Sequence, residues 1–235
     1  MSRFPPAVPR AAGVQWWPAV PVFVCSMLLA ALFAATRVAH GSPFGVDDAV
    51  HGWVLEHRPR WAVAAAVTVT GSGVPAYLLA AFAGALAFRT DRGWHGAPAG
   101  ALAGALALLS VQLPRIALAS WLARPRPPSD DWAWTASGYA MPSGHTTTSA
   151  AVAVLLTAGV HRTVRGRARP LLLVAPALWA ATVGLSRVYL GMHWPTDVLA
   201  GWLLVSAWAG LLGLSLVLLR RRKSGAVPSN ESEGT

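Results

Sequence analysis

Residues 171–219 read LLLVAPALWAATVGLSRVYLGMHWPTDVLAGWLLVSAWAGLLGLSLVLL, two apolar stretches joined by a short polar connection. Apolar blocks of this kind cross a bilayer as helices. The connection holds Ser186, Arg187 and His193, and Asp197 follows at the start of the second stretch. Ionisable side chains this close to a membrane are costly unless they have a partner or a function. The segment therefore predicts two membrane helices with a functional cluster between them.

The rest of the chain repeats this pattern. Of its 235 residues, 54% are hydrophobic and 12% are charged, whereas a soluble domain has about 25% charged residues. We predict an all-α fold, a polytopic membrane helical bundle with about six transmembrane helices. The expected spans are about 17–38, 61–88, 96–122, 143–160, 171–185 and 196–219. Residues 46–60 are expected to form a short amphipathic or irregular surface segment, and Gly71, Gly73 and Pro75 to bend or break the second span.

The charge distribution predicts the orientation. Most of the 19 Lys and Arg residues lie in the N-terminus, the second-to-third and fourth-to-fifth loops and the C-terminal flank. The positive-inside rule then places both termini in the cytoplasm of a multi-pass cell-membrane protein. We expect 1–16 to be a cytoplasmic N-terminus, 17–223 a six-span domain and 224–235 a disordered cytoplasmic tail. The net charge of +10 is explained by this orientation, and no nucleic-acid partner is predicted.

Three polar clusters, at 124–127, 142–145 and 186–197, then fall on the extracytoplasmic side. In the second cluster, Pro142-Ser143-Gly144-His145 opens a span. A serine at the helix start and a glycine in the first turn expose backbone N–H groups at the positive end of the helix dipole, which suits an anion. Pro-Ser-Gly is also an ordinary helix start, and it is His145 that makes the motif more specific.

His193 and Asp197 of the third cluster are four residues apart, a spacing that places both side chains on one helical face. A carboxylate bonded to one imidazole nitrogen fixes the tautomer and leaves the other nitrogen free for nucleophilic attack. Asp197 also suits a purely structural role as an acid in the first helical turn. Ser186 and Arg187 end the fifth span and can approach the same pocket, although either one suits an interfacial anchor.

The first cluster is Arg124-Pro125-Arg126-Pro127, in which prolines hold two arginines in a stiff, extended loop. Guanidinium groups make forked contacts with phosphate oxygens. Arginines that extend to lipid headgroups give the alternative interpretation. Together, the three clusters supply cations, backbone donors, two histidines and a carboxylate, which is suited to holding and attacking a phosphate. The residues alone do not decide which histidine attacks.

With these motifs, the sequence resembles the type 2 phosphatidic acid phosphatase superfamily, whose fold is shared with vanadium haloperoxidases. The family signature has three parts: a lysine seven residues before Arg-Pro, then Pro-Ser-Gly-His, then Ser-Arg with a histidine and an aspartate at fixed spacing. The second and third parts match in full, and the first matches only at Arg126-Pro127. The similarity covers core motifs at about 119–197, and the resemblance implies that 17–223 is a phosphatase domain.

The resemblance implies a two-step phosphoryl transfer without a metal or other cofactor. His193 is expected to be the nucleophile that becomes a phosphohistidine, with Asp197 orienting it. His145 is expected to protonate the leaving group and then to activate water. The expected phosphate-binding groups are Arg126, Arg187, Ser143 and Gly144. The family lysine falls on Ala119, and we hypothesise that Arg115, one helical turn earlier, or Arg124 replaces it.

The resulting prediction is a membrane phosphatase that acts on a lipid phosphate or diphosphate, such as undecaprenyl diphosphate, phosphatidylglycerophosphate or phosphatidic acid. The alternatives are a lipid phosphotransferase and a non-catalytic membrane protein with a degenerate site. A haloperoxidase is less favoured, because the chain is almost entirely membrane spans. The expected partners are membrane lipids and the lipid substrate. A homo-oligomer is also possible through the glycine-spaced face formed by Gly96, Gly100 and Gly104.

Overall fold

The computed structural model describes residues 19–225, and all regular secondary structure within that range is helical. The helices are α1 Ala19–Val38, α2 Gly45–Glu56, α3 Arg60–Gly71, α4 Ala76–Arg92, α5 Ala97–Leu122, α6 Gly144–Thr163, α7 Arg169–Tyr189 and α8 Pro195–Gly225. The predicted all-α class is confirmed for this part of the chain. The predicted cytoplasmic N-terminus 1–16 and nearly all of the predicted tail 224–235 lie outside the described residues.

Four helices of the described range are long and apolar enough to cross a membrane, namely α1, α5, α7 and α8 as far as Leu218. α3 and α4 qualify together as a broken pair bent by 53°, at the break where the sequence has Gly71, Gly73 and Pro75. α6 has 20 residues, the length of a span, but its first turns are rich in threonine. The expected number of about six spans is therefore approximate: four or five apolar spans, together with α6.

α6 can be less apolar because it lies inside the bundle, packed against α4, α5, α7 and α8. Thr147 and Ser149 are buried in its first turns, and the Thr147 hydroxyl donates to the carbonyl of Ser143 at 2.9 Å. Further along, Val152 joins an apolar core with Leu108 of α5 and Val205 of α8. The surrounding helices thus cover α6, and its polar N-terminus lies at the centre of one end of the bundle.

Glycines allow α4 and α5 to touch backbone to backbone. A Cβ added to Gly84 would collide with the carbonyl of Gly100, and a Cβ added to Gly104 would collide with the carbonyl of Ala80. This contact confirms the close helix approach predicted from the glycine spacing. Gly100 and Gly104 face α4 of the same chain, and the homo-oligomer stays a prediction.

α5 and α7 end, and α6 and α8 begin, at one end of the bundle. The backbone N–H of Ser143, just before α6, donates to the carbonyl of Asp197 in the first turn of α8 at 3.1 Å. The connection 123–143 crosses this end and is held there by a hydrogen bond from Ala133 to the carbonyl of Leu190. α2 packs against α7 and α8. All three polar clusters are therefore brought together, as the predicted topology requires.

Candidate active site

A polar cavity of about 340 Å³ opens where the clusters meet. It is lined by Arg115, Arg126, Thr135, Ala136, Ser137, Gly144, His145, Arg187 and His193. Among these side chains are three guanidinium groups and two imidazoles, and no carboxylate. A cavity with this charge pattern suits an anion that carries several oxygens.

His193 and Asp197 pair as their spacing predicts. The Nδ1 atom of His193 lies 3.4 Å from Oδ2 of Asp197, and both side chains are buried. The same Oδ2 accepts the backbone N–H of Trp194 at 2.9 Å, so the carboxylate is held by the turn that carries the histidine. A proton on Nδ1 satisfies this contact and leaves the lone pair of Nε2 available.

The lone pair of Nε2 faces Arg126. The NH1 group of Arg126 donates to Nε2 of His193 at 2.7 Å and to the carbonyl of Met192 at 2.9 Å. Its Nε and NH2 groups donate to carbonyls of the 123–143 connection, at Gly138 and Ser137. Since an arginine always donates, Nε2 must be the unprotonated acceptor. The geometry therefore assigns the tautomer that a nucleophilic Nε2 requires.

Burial and nearby charges together determine the pKa values of His193 and Arg126. Burial, followed by the positive charges of Arg126 and Arg187, holds the pKa of His193 well below its usual value of 6.5. Burial likewise lowers the pKa of Arg126, while the charge of Asp197 acts in the opposite direction. A lowered pKa keeps His193 neutral at physiological pH, and the neutral form is the one that can attack.

The N-terminus of α6 supplies the predicted anion site. Ser143 is fully buried with an extended backbone, and its hydroxyl has no partner among the described residues. Gly144 and His145 follow in the first turn and line the cavity. A buried hydroxyl without a partner is unusual in a folded protein, and it points to an oxygen-rich ligand beside the exposed N–H groups of the helix.

Arg115 reaches the same place from α5. A Cβ added to Gly144 would lie 3.3 Å from NH1 of Arg115, so the guanidinium packs directly on the glycine. The Nε atom of Arg115 is buried and has no partner within the described structure. Ala119, at the position of the family lysine, is itself buried. Arg115 is thus well placed to supply the cation that Ala119 lacks.

Arg187 lies in the cavity together with a residue that the sequence did not identify. Its NH1 group donates to the hydroxyl of Thr70 at 3.1 Å. Thr70 is buried at the end of α3, just before the break. The Nε atom of Arg187, like that of Arg115, has no partner in the described part of the chain. The broken span therefore fixes one of the three cavity arginines.

Arg124 does not line the cavity, which corrects its expected role in phosphate binding. Its side chain is fully buried behind the His193–Asp197 pair, where NH1 lies 2.7 Å from Oδ1 of Asp197 and NH2 lies 2.7 Å from Oδ2 of Asp47. NH1 also donates to the hydroxyl of Thr196 at 2.7 Å. Because two carboxylates already occupy this guanidinium, Arg115 is the only one of the two suggested lysine replacements that faces the cavity.

Asp47 is a second residue that the sequence did not identify. We expected residues 46–60 to lie at the surface, but in α2 the Asp47 side chain is fully buried while the adjacent Asp48 is exposed. The only sequence signal for Asp47 is that a carboxylate beside a membrane requires a partner. Its partner, Arg124, lies 77 residues away in the chain.

Comparison with known proteins identifies the family of this chain. The family model described as PAP2 superfamily matches residues 98–222, more than half of the chain. The chain belongs to the PAP2 superfamily.

Among the described residues, no group of three or more His, Cys, Asp or Glu side chains is arranged to hold a metal ion.

Three curated relatives are lipid phosphatases by name. Undecaprenyl-diphosphatase of Sulfolobus acidocaldarius is 39% identical over 80 residues, 33% of this chain and 34% of that enzyme. Phosphatidylglycerophosphatase B of Bacillus subtilis is 28% identical over 182 residues, 75% of this chain and 86% of that enzyme. Decaprenylphosphoryl-5-phosphoribose phosphatase of Mycolicibacterium smegmatis is 37% identical over 145 residues, 59% of this chain and 69% of that enzyme.

A solved structure shares the fold. The crystal structure of a transmembrane PAP2 type phosphatidylglycerolphosphate phosphatase from Bacillus subtilis matches with a TM-score of 0.67 and 25% identity, over 88% of this chain and 99% of that chain. The family, these relatives and the apolar helices together support a multi-pass membrane lipid phosphatase.

Proposed function

We propose that this protein hydrolyses a lipid phosphate or diphosphate at the extracytoplasmic face, through a phosphohistidine on His193 and without a metal. The observation that carries the proposal is the state of His193: its Nδ1 faces Asp197, and its unprotonated Nε2 faces a cavity lined by three arginines. The phosphatase names of the relatives support the reaction class.

In the first step, Nε2 of His193 attacks the phosphorus, and the bond from phosphorus to the leaving oxygen breaks. The leaving alkoxide or phosphate takes a proton from His145. Asp197 stabilises the positive charge that develops on the His193 imidazole, while Arg115, Arg126 and Arg187 stabilise the negative charge on the transferring oxygens. Phosphate oxygens replace Nε2 as the acceptor for NH1 of Arg126, which frees the nucleophile.

In the second step, His145 removes a proton from water, and the water oxygen attacks the phosphohistidine. The bond from phosphorus to Nε2 breaks, inorganic phosphate leaves, and both histidines return to their starting protonation states. Ser143 and the backbone N–H of Gly144 contribute hydrogen bonds in both steps. We assign Arg115 the role of the family lysine, because its guanidinium packs against Gly144 in the cavity.

The position of the cavity at one end of an apolar bundle suits a lipid headgroup at the membrane surface, with the lipid tail among the helices. The positive-inside rule supports the extracytoplasmic side. A lipid phosphotransferase would use the same first step and pass the phosphoryl group to an alcohol instead of water.

The test is phosphate release by the purified full chain in detergent, with chelator present. The substrates are undecaprenyl diphosphate, phosphatidylglycerophosphate and phosphatidic acid. We expect release from at least one of them, and loss of about 10⁴-fold or more in His193→Ala. His161→Ala, an exposed histidine at the far end of α6, is the matched control and should keep wild-type activity. A strict requirement for divalent metal, or full activity in His193→Ala, would contradict the proposal.

A further inference from the structure

Behind the catalytic pair lies a buried series of charged contacts. Two of its members, Arg124 and Asp47, have no role in the reaction scheme. The series runs from His193 to Asp197, from Asp197 to Arg124, and from Arg124 to Asp47 on α2. The two ion pairs are each 2.7 Å long, and all three side chains in them have no exposed surface. These contacts connect a short helix outside the family signature to the proposed nucleophile.

Each Asp197 oxygen has its own task. Oδ1 accepts from Arg124, and Oδ2 faces Nδ1 of His193 and accepts from Trp194. Arg124 therefore fixes the plane of the carboxylate and, with it, the direction of the oxygen that meets the imidazole. The guanidinium is suited to this task because its donors are held in a rigid fork, with NH1 on Asp197 and NH2 on Asp47.

Asp47 in turn fixes Arg124. Its Oδ2 atom accepts from Arg124, from the hydroxyl of Thr196 at 2.8 Å and from the backbone N–H of Phe44 at 3.1 Å, while Oδ1 accepts from the N–H of Thr196 at 3.0 Å. Four donors therefore hold this one carboxylate. The contacts to Thr196 join α2 directly to the first turn of α8, next to Asp197.

Two buried carboxylates share one guanidinium, and the Asp197 carboxylate is the one next to His193. A phosphohistidine carries positive charge on the imidazole ring, which the Asp197 carboxylate stabilises. Without Asp47, Arg124 would pair with Asp197 alone, and the negative charge that Asp197 presents to a positive His193 would be offset more completely.

We propose that Asp47 and Arg124 are positioning residues for the phosphoryl transfer: Asp47 holds Arg124, and Arg124 orients and electrostatically balances Asp197 behind His193. This inference rests on the proposed function. It assigns α2 a role in catalysis, although none of its residues lines the cavity.

The main test is Asp47→Asn, which keeps the shape of the side chain and removes its charge. We expect kcat to fall about 10- to 100-fold, as for other outer partners of a catalytic group, while KM stays unchanged because the cavity arginines are untouched. In the dependence of kcat/KM on pH, the fall at acidic pH should move to lower pH, since a negative charge near the His193–Asp197 pair is lost. Asp48→Asn, the exposed neighbour, is the matched control and should change nothing.

The fall of kcat/KM at acidic pH, the acid limb of its pH profile, reports on the protonation of His193. His193 also faces other charged groups. These are Asp197 of α8, Arg126 of the 123–143 connection, Arg187 of α7, Arg115 of α5 and His145 of α6. Asp47→Asn leaves all of these side chains in place, so a shift follows from the loss of the Asp47 charge, acting on His193 directly or through Asp197. A variant that only loosened the fold would lower the active fraction without moving the limb.

Titration of ¹⁵N-labelled His193 by NMR in micelles gives a readout that needs no turnover. In Asp47→Asn we expect its pKa to fall and its Nδ1-protonated tautomer to become less populated. If Asp47→Asn folds poorly, Thr196→Val serves as the second variant, because it removes the hydroxyl between Asp47 and Arg124. It should cause a smaller change in the same direction. An unchanged His193 titration in both variants would overturn the inference, even if the wild-type protein is an active phosphatase. If no substrate is hydrolysed, the proposed function fails and this inference fails with it, whereas an unchanged titration in an active phosphatase overturns the positioning role alone.

Discussion

Arg115 gives the sharpest test of the proposed phosphate-binding site, because it is the residue to which we assign the role of the family lysine. Its guanidinium is one of three that line the cavity and packs on Gly144. A hydrogen bond to a charged group contributes about 1.5–3 kcal/mol, which corresponds to a change of roughly 10- to 150-fold in kcat/KM. We therefore expect Arg115→Ala to lower kcat/KM for the preferred lipid phosphate by that factor.

The assay is initial-rate phosphate release in detergent over a range of lipid concentrations. The double variant Arg115→Ala, Ala119→Lys should recover part of the kcat/KM that Arg115→Ala loses, because it has a lysine at the position given by the family signature. Arg60→Ala removes an exposed arginine at the start of α3 and serves as the control for a general loss of charge. Wild-type kcat/KM in Arg115→Ala, or a loss equal to that of Arg60→Ala, would refute the assignment.

Three further predictions concern the histidines and the start of α6. His145→Ala should slow the hydrolysis of lipid substrates about 10²- to 10⁴-fold but slow the first step of p-nitrophenyl phosphate much less, because that leaving group needs no proton. An equal loss for both substrates would count against the general acid. Gly144→Ala should raise KM several-fold by displacing the Arg115 guanidinium, which would lie 3.3 Å from the new Cβ, whereas Gly138→Asn in the loop should keep the wild-type KM. Because burial and positive charge lower the pKa of His193, kcat/KM should be retained from about pH 7 to pH 6 and be lost only in more acidic solution. Arg126→Gln should move this acid limb to higher pH, and a limb that stays in place would contradict the assigned cause.

The parts of the site that the sequence predicts are those encoded at short range. The four-residue spacing of His193 and Asp197 lets them pair across the turn that leads into α8, which begins at Pro195. Gly71, Gly73 and Pro75 similarly predict a break that the structure shows as a bend of 53°. In each of these cases, residues adjacent in the sequence determine the geometry, so the pattern is sufficient.

The parts that the sequence does not predict depend on contacts between distant helices. Arg124 and Arg126 are chemically alike and only two residues apart, yet one binds buried carboxylates and the other lines the cavity. What separates them is the packing of α2, which brings Asp47 to Arg124 across 77 residues. Thr70 likewise meets Arg187 across 117 residues. The spacing of residues within one segment does not predict contacts between segments that are far apart in the sequence.

The most direct test of the central claim is to trap the phosphorylated enzyme. Purified protein is mixed with ³²P-labelled lipid phosphate and quenched in alkali, which preserves phosphohistidine, and the label is then mapped by mass spectrometry. We predict label on the peptide that contains His193 and none in His193→Ala. Turnover by the wild-type protein with no label on His193, under conditions in which phosphohistidine survives, would contradict the account.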